Sequence, residues 1–431
     1  MSDGALEPVG PAPRVELGRL LVVVVLVGVG AGIGGAALTL LLHAIQHLSF
    51  GYTEATFLTG VEEASGLRRV VVMTTGGLVV GLGWWALRRY RTVVTVKDGL
   101  KNDDPRLPLP TTAIDAVLQV VAVAMGASLG REGAPRQLGA AIGVWIAARA
   151  GLTIDQQRTL LACGAGAGLA AVYNVPLGGA LFTLEILLVS FAVRDVLAAL
   201  LTSAIATGVA WAFLSDKPTY IVEPFAITAG LVVFAVLFGP IAGVGSAVFT
   251  RLMDFAQRHP PQGWRLPVVT TSVFAGVGLL AVVFPQLLGN GKGPAQLAFD
   301  GALALPMFLA LVLLKPAATA ACLGSGATGG TLTPSLATGA MLGALTGGVW
   351  STFWSGTPIG AFAIVGAAAF LAASHKAPFT AIVLLLEMTQ SGNALLVPII
   401  VAVGSAYVVS SLARTPRTSA NPVVEPKNDA R

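Results

Sequence analysis

The chain has 431 residues, of which 55% are hydrophobic and only 11% are charged. Globular domains in water carry about 25% charged residues, so this composition, with a mean hydropathy of +0.80, excludes a set of soluble domains. The formal net charge of +5 does not indicate a nucleic-acid partner, because basic residues cluster beside apolar runs, as in Arg88–Arg91. Such clusters are typical of the short cytoplasmic loops of membrane proteins. The sequence therefore predicts an all-α polytopic membrane protein whose partner is the lipid bilayer.

Long apolar runs without Asp, Glu, Lys or Arg recur along the chain. Six of them are Leu20–Leu42, Val70–Leu87, Thr159–Leu184, Val196–Ser215, Pro224–Thr250 and Leu266–Gly291, and the stretch Pro316–Ser374 is also uncharged. Each of the six is long enough to cross a bilayer core, which needs about 20 apolar residues. The first run is too long for a signal-peptide core, so we do not expect a secreted domain. Polar tails over residues 1–18 and 414–431 flank the apolar region.

The sequence offers little for metal, cofactor or covalent chemistry. Cys163 and Cys322 both lie in apolar surroundings, and two such cysteines make neither a disulfide framework nor a metal cluster. A Walker-type phosphate loop and a paired His/carboxylate metal motif are both absent from the sequence. We therefore predict no metal site, no cofactor and no enzymatic activity.

Two stretches of the chain resemble each other at a nearly constant spacing. Pro176 and Glu185 recur as Pro378 and Glu387, in each case 202 positions later, and the segments 130–139 and 330–339 share glycines and a proline 199 or 200 positions apart. This pattern predicts two related membrane repeats, residues 19–213 and 214–413. Repeats whose apolar segments are interrupted by proline and glycine at matching places indicate a substrate site near the bilayer midplane. Chance similarity between glycine-rich helices is the alternative.

The interruptions themselves predict an anion site. Residues 126–135 read Gly-Ala-Ser-Leu-Gly-Arg-Glu-Gly-Ala-Pro, and residues 324–334 repeat the arrangement in the second half. Proline suits the first turn of a helix and glycine suits an unwound approach to it. The free N–H groups and the positive end of each helix favour a bound anion. One helix start from each repeat would then converge on one small anion, which is held by partial charges and is still able to leave.

Glu132 lies inside the first of these segments. A carboxylate within the membrane is costly and is by default functional. When ionised, it would compete with the anion for the same N–H groups, and when protonated it would swing away, which couples proton binding to anion movement. The alternative is that Glu132 pairs with Arg131 at a membrane surface.

Four motifs, in this order along the chain, resemble signatures of the CLC chloride channel and transporter family. They are Gly130-Arg-Glu-Gly133, Tyr173-Asn-Val-Pro-Leu177, Gly324–Pro334 and Lys376-Ala-Pro-Phe-Thr380 with Glu387-Met-Thr389. The resemblance implies a fold of two inverted-topology repeats with broken helices, and a homodimer with one ion path per subunit. It implies that both termini are cytoplasmic, in a bacterial-type inner membrane. It also implies that Glu132 is the gating glutamate and proton acceptor, and that the anion-binding residues are Gly130, Arg131, Gly133, Gly330, Thr331, Leu332 and Thr333.

Three departures from the family pattern bear on the transported ion. The stretch Tyr90–Gly99 lacks the serine that holds the central chloride in many members. The central tyrosine also has no counterpart, because Tyr407 comes too early and Thr418 is nearest by counting. Where many chloride exchangers carry a second glutamate as internal proton carrier, this chain has Ile186 after Glu185, which leaves Glu185 either structural or a relay.

A chain without this serine, tyrosine and second glutamate resembles the fluoride/proton antiporter branch of the family, which also favours threonine at the position of Thr333. Fluoride is small and strongly hydrated, so its dehydration demands good hydrogen-bond donors, and the Thr333 hydroxyl could be one, although a helix-start threonine often bonds its own backbone. The sequence thus favours a proton-coupled antiporter that exports fluoride. A chloride/proton antiporter, a passive anion channel and a non-transporting membrane receptor or scaffold are the alternatives.

Two lysines border apolar stretches, Lys315 and Lys376. Lysines in such places usually extend their ammonium group to the membrane interface. The alternative is that they contribute positive potential to the path of the anion. We expect the interfacial arrangement for both.

Overall fold

The computed structural model describes residues 14–53, 56–391 and 393–413. These residues form seventeen α-helices, joined by short loops, two 3-10 turns and a π-helical turn at Phe182–Leu188. The helices are α1 Arg14–Phe50, α2 Phe57–Glu63, α3 Gly66–Tyr90, α4 Val96–Lys101, α5 Leu109–Ala124, α6 Gly133–Arg149, α7 Ile154–Tyr173, α8 Pro176–Leu181, α9 Val193–Trp211, α10 Ala229–Ala256, α11 Arg265–Val283, α12 Lys292–Phe299, α13 Leu305–Gly324, α14 Leu332–Trp350, α15 Ile359–His375, α16 Pro378–Thr389 and α17 Leu396–Ala413. Helix α1 begins inside the segment 1–18 that the sequence analysis treats as a tail, and residues 414–431 lie outside the described residues.

Seven of the described helices are long and apolar enough to cross a membrane: α1, α3, α9, α10, α11, α13 and α17. The prediction that Thr159–Leu184 crosses as one segment is wrong. Helix α7 ends at Tyr173, Asn174 adopts a left-handed conformation with φ of 57°, and α8 begins at Pro176. Proline has no N–H to continue the helix and asparagine tolerates positive φ, so the apolar run forms two helices.

The two halves of the molecule repeat the same sequence of helices in inverted orientation. Helices α6, α7 and α8 correspond to α14, α15 and α16, and the break at Asn174 recurs at Lys376, which has φ of 56°. Helices α6 and α7 cross so closely that a Cβ on Gly164 would overlap the carbonyl oxygen of Gly139. Helices α14 and α15 cross in the same way at Gly366. Small residues at helix crossings allow this close packing within a membrane.

Two glutamates, one in each repeat, form hydrogen bonds to the opposite repeat. The carboxylate of Glu185 accepts hydrogen bonds from the N–H groups of Phe379 (3.1 Å) and Thr380 (2.7 Å) at the start of α16. In the other repeat, Glu387 accepts from the N–H groups of Leu177 (2.9 Å) and Gly178 (2.6 Å) at the start of α8. A carboxylate satisfies the free N–H groups of a helix start and is stabilised by the helix dipole. Both glutamates therefore act as helix caps, which favours the structural alternative for Glu185.

Lys315 departs from the interfacial arrangement that we expected. Its side chain is 0% exposed within α13. The ammonium group donates to the carbonyl oxygens of Leu287 (2.8 Å) and Gly289 (2.7 Å). Since Gly289 in turn donates its N–H to the carbonyl of Gly126 at 2.9 Å, the lysine ties α13 to the loop that leads to the candidate site.

Candidate anion and proton site

The loops that precede α6 and α14 meet at two glycines related by the repeat. The N–H of Gly130 donates to the carbonyl of Gly330 at 2.7 Å, and the N–H of Gly330 donates to the carbonyl of Gly130 at 2.9 Å. This antiparallel pair fixes the starts of the two helices side by side. It also occupies both glycine N–H groups, so that donors for an anion must come from neighbouring residues.

The carboxylate of Glu132 occupies the start of α14. Its Oε1 accepts the N–H of Leu332 at 2.7 Å, and its Oε2 accepts the hydroxyls of Thr333 at 3.0 Å and Tyr173 at 3.2 Å. The side chain of Glu132 is 0% exposed. All these groups can donate, so they suit an ionised carboxylate, which here stands in the place that a dehydrated anion could take.

Tyr173 is the site residue that sequence reasoning missed. It is the last residue of α7, and its hydroxyl also lies 2.8 Å from the Thr333 hydroxyl. The break of the helix at Asn174 and Pro176 ends α7 at this depth, which brings the ring to Glu132. The only signal was the Tyr-Asn-Val-Pro motif, which we used as a family landmark and not as a source of ligands.

Two arginines flank Glu132. The Arg131 guanidinium lies 4.8 Å from the centre of the Tyr173 ring and donates to the carbonyl of Val172 at 3.3 Å. Arg136, one turn into α6, donates its Nε–H to the carbonyl of Glu132 at 3.0 Å and lies 5.2 Å from the centre of the Phe182 ring. No described cation forms an ion pair with the Glu132 carboxylate, and the pairs Arg106–Asp104 and Arg158–Asp155 lie away from this site, in the loop before α5 and in the first turns of α7. The alternative of a surface pair between Glu132 and Arg131 is therefore wrong.

The sequence matches a known family over most of its length. Residues 76–411 match the profile of the family described as voltage gated chloride channel. The chain belongs to this family.

Relatives and solved structures agree with the family assignment. A ClcB-like protein of Ralstonia nicotianae is 32% identical over 84% of this chain and 86% of its own length. The H(+)/Cl(-) exchange transporter ClcA of Yersinia pestis is 32% identical over 68% of this chain, and the match spans 64% of its own length. A slow cyanobacterial Cl-/H+ antiporter (TM-score 0.80, 22% identity, 92% of this chain and 95% of that one) shares the fold. So does a CLC-type fluoride/proton antiporter (TM-score 0.74, 21% identity, 93% of this chain and 98% of that one).

The remaining predicted members of this family's anion site lie on the same two helix starts. Gly133 is the first residue of α6, and Thr331 directly precedes α14. Leu332 and Thr333 bond to the Glu132 carboxylate, Gly130 and Gly330 lie against it, and Arg131 packs on the Tyr173 ring. The role of these seven residues as anion ligands remains a prediction. Among the described residues, no group of His, Cys, Asp or Glu could hold a metal ion.

The segment in which this chain lacks the family's serine forms the short helix α4. Its preceding residue, Thr95, is exposed, and its hydroxyl donates to the Asp98 carboxylate at 2.6 Å. Tyr407 lies within α17, and Thr418 lies outside the described residues. The hydroxyls that contact Glu132 thus come from α7 and α14.

Proposed function

We propose that this chain is a proton-coupled halide antiporter, and that it exports fluoride in exchange for protons. One observation carries the proposal: the Glu132 carboxylate is held by an N–H at a helix start and by two hydroxyls, and no Lys or Arg among the described residues forms an ion pair with it. These are the donors that a bare halide needs. A single acidic side chain and the anion would therefore compete for one set of donors.

The competition gives a simple exchange cycle. Protonation removes the negative charge of Glu132 and turns one acceptor oxygen into a donor, so its hydrogen bonds to Leu332 N–H and the hydroxyls weaken. The neutral side chain then leaves, and a halide takes the donors. Loss of the proton restores the carboxylate, which expels the halide. The ionised Glu132 carboxylate and the halide thus exclude each other from the same donors, so each exchange at the site requires a change in the protonation of Glu132.

Fluoride is the ion that the donor set suits best. The hydroxyls of Thr333 and Tyr173 both face Glu132 Oε2, and hydrogen bonds to charged groups contribute about 1.5–3 kcal/mol each. A small, strongly hydrated anion gains most from such donors, because its dehydration is the most costly. Chloride is the second candidate, because the curated Yersinia relative is named as a chloride exchanger.

Reconstituted liposomes test the proposal. Protein is placed in vesicles loaded with fluoride or chloride, a pH gradient is imposed, and halide release is recorded with an ion-selective electrode while a pH dye reports proton movement. Uphill fluoride movement driven by the gradient is expected. Halide flux indifferent to the gradient would indicate a channel, uphill movement of chloride with little fluoride would indicate the chloride exchanger, and the absence of any flux would indicate a receptor or scaffold.

Thr333→Val is expected to weaken fluoride binding. The change removes one hydroxyl donor and leaves the N–H of Leu332 in place, so the apparent fluoride affinity should fall by about 10-fold, as for a lost hydrogen bond to a charged group. Chloride, which depends less on hydroxyl donors, should change by about 3-fold or less. The measurement is competition between the two ions in the liposome assay. Thr338→Val is the matched control, since that buried hydroxyl on α14 donates only to the Pro334 carbonyl. Equal losses for both ions would contradict the fluoride assignment.

Arg136→Gln is expected to weaken halide binding without loss of proton coupling. The guanidinium lies one turn beyond Glu132 and has no carboxylate partner among the described residues, so it raises the local positive potential. Its removal should raise the halide concentration for half-maximal flux by about 5-fold at low ionic strength and by less at high salt. Arg149→Gln, at the far end of the same helix, is the control. A halide dependence equal to the wild type would exclude this role.

We also propose an orientation and an assembly. Arg88 and Arg89 lie in the last turn of α3 and Arg91 directly follows it, while Arg158 near the start of α7 donates to the carbonyl of Asn102 in the neighbouring loop. Basic loops favour the cytoplasmic side, so we place this face in the cytoplasm of a bacterial-type inner membrane, with both termini on the same side. We expect a homodimer with one ion path per subunit, which cross-linking in membranes can test.

A further inference from the structure

A second buried carboxylate lies on α5, outside the set of groups that contact Glu132. The side chain of Asp115 is 1% exposed. Its Oδ1 accepts the indole N–H of Trp84 at 2.8 Å and the hydroxyl of Thr328 at 3.4 Å, and its Oδ2 accepts the amide of Gln119 at 2.7 Å. Each neighbour is a donor, so these contacts suit a carboxylate that can take up and release a proton within the membrane.

On one side, Asp115 lies next to a cavity. Thr328 and Arg88 line a cavity of about 680 Å³ that also includes Arg89 and Gln257. Arg88 donates to the Thr328 hydroxyl at 3.3 Å, and its positive charge interacts electrostatically with the Asp115 carboxylate. The cavity lies on the basic face, which the proposed orientation places in the cytoplasm. One hydroxyl therefore separates Asp115 from a cavity open to that side.

On the other side, two side-chain amides lie between Asp115 and Gly133, the residue that follows Glu132. The Gln119 amide donates to the side-chain oxygen of Gln137 on α6, and both side chains are buried. The Gln119 Oε1 lies so close to Gly133 that a Cβ there would overlap it. Gly133 directly follows Glu132. Hydrogen bonds thus join the cavity, Asp115, Gln119 and Gln137 in series, and Gln119 packs closely against the residue beside the gating carboxylate.

We propose that Asp115 is the internal proton acceptor of the exchange cycle. In this role it takes the proton that Glu132 releases and delivers it to water in the cavity at Thr328. The O–H bond of the Glu132 carboxyl breaks and an O–H bond forms on Asp115, and the same proton then leaves to water, with no change in oxidation state. Gln119 and Gln137 are positioning residues, because carboxamides do not titrate near neutral pH.

The other membrane carboxylates are less suited to this role. Glu185 and Glu387 each bind two N–H groups at a helix start of the opposite repeat. Protonation of either would weaken the hydrogen bonds between the repeats. Asp195 bonds to the hydroxyls of Ser190 (2.7 Å) and Thr159 (3.4 Å) at the start of α9. Of these four carboxylates, Asp115 is the one whose hydrogen-bond partners both line a cavity (Thr328) and pack against Gly133 (Gln119).

Asp115→Asn tests this inference, which rests on the proposed proton-coupled exchange. Proton flux in liposomes should fall by about 100-fold or more, within the range for loss of a proton-transfer group, while halide flux persists. The H+/halide stoichiometry from reversal potentials should fall in parallel, which a purely structural role would not produce. Asp115→Glu should retain coupling, and Asp195→Asn is the matched control.

The possible outcomes separate this inference from the proposed function. Wild-type protein without proton flux would overturn the proposed function and this inference with it. Coupled wild-type protein, with Asp115→Asn at the wild-type stoichiometry, would overturn only the role of Asp115. If Asp115→Asn does not yield folded protein, Gln119→Leu replaces it, and unchanged coupling in that variant overturns the inference in the same way.

Discussion

Glu132→Gln is expected to abolish proton transport while halide flux continues. Glutamine keeps the size of the side chain and one acceptor oxygen for the Leu332 N–H, which lies 2.7 Å from Glu132 Oε1. It cannot bind or release a proton near neutral pH, so proton flux should fall by about 100-fold or more, within the range for loss of an essential acid or base. The measurement is simultaneous recording of proton and halide flux in liposomes.

The control for this experiment is a glutamate that the structure assigns to helix capping. Glu185→Gln removes a partly buried charge from the start of α16 and weakens the bonds to Phe379 and Thr380. It should lower thermal stability and leave the H+/halide stoichiometry at the wild-type value. Proton transport that survives in Glu132→Gln would remove Glu132 from the exchange cycle, even if halide flux also changed.

The sequence predicted the part of the site that lies in continuous motifs. Glu132, Leu332 and Thr333 belong to two helix starts whose glycines and prolines repeat along the chain, and the physical reason for an anion site there is local. The contacts themselves join residues 200 and 201 positions apart. Internal repetition was the only sequence signal for that meeting, because repeats related by an axis bring equivalent segments together.

Other features depended on contacts that no local pattern reports. Tyr173 reaches Glu132 because α7 stops at Asn174, and hydropathy counts the length of an apolar run without detecting a break in its backbone. A lone aspartate in an apolar helix, such as Asp115, gives no sign of the indole, hydroxyl and amide that will surround it. Lys315 was expected at the interface because its partners are backbone carbonyls, which any sequence offers.

The geometry of the site also depends on the close crossing of α6 and α7. Glu132 precedes α6 and Tyr173 ends α7, so the distance between them depends on how closely these two helices cross. The crossing is set by Gly139 and Gly164, whose backbones are in direct contact. A hydrogen bond weakens steeply beyond its normal range, and the bond from the Tyr173 hydroxyl to Glu132 is already 3.2 Å long.

Gly164→Ala is therefore expected to be among the most damaging single changes in the chain. The new Cβ would overlap the Gly139 carbonyl oxygen, which is backbone and cannot rotate away, and overpacking of this kind costs about 1–3 kcal/mol and occasionally more. The helices must separate, so we expect a lower melting temperature, and in the protein that folds, a weaker preference for fluoride, because Tyr173 retreats from Glu132.

The matched control is Gly208→Ala on α9, where a Cβ meets no other atom within 4 Å. Alanine has the higher helix propensity by about 1 kcal/mol, so this variant should be as stable as the wild type or more stable. Thermal unfolding in detergent, followed by the fluoride and chloride competition assay, compares the two variants. If both unfold at the wild-type temperature, the tight crossing of α6 and α7 does not hold the site together, and the distance between Tyr173 and Glu132 must be set by other contacts.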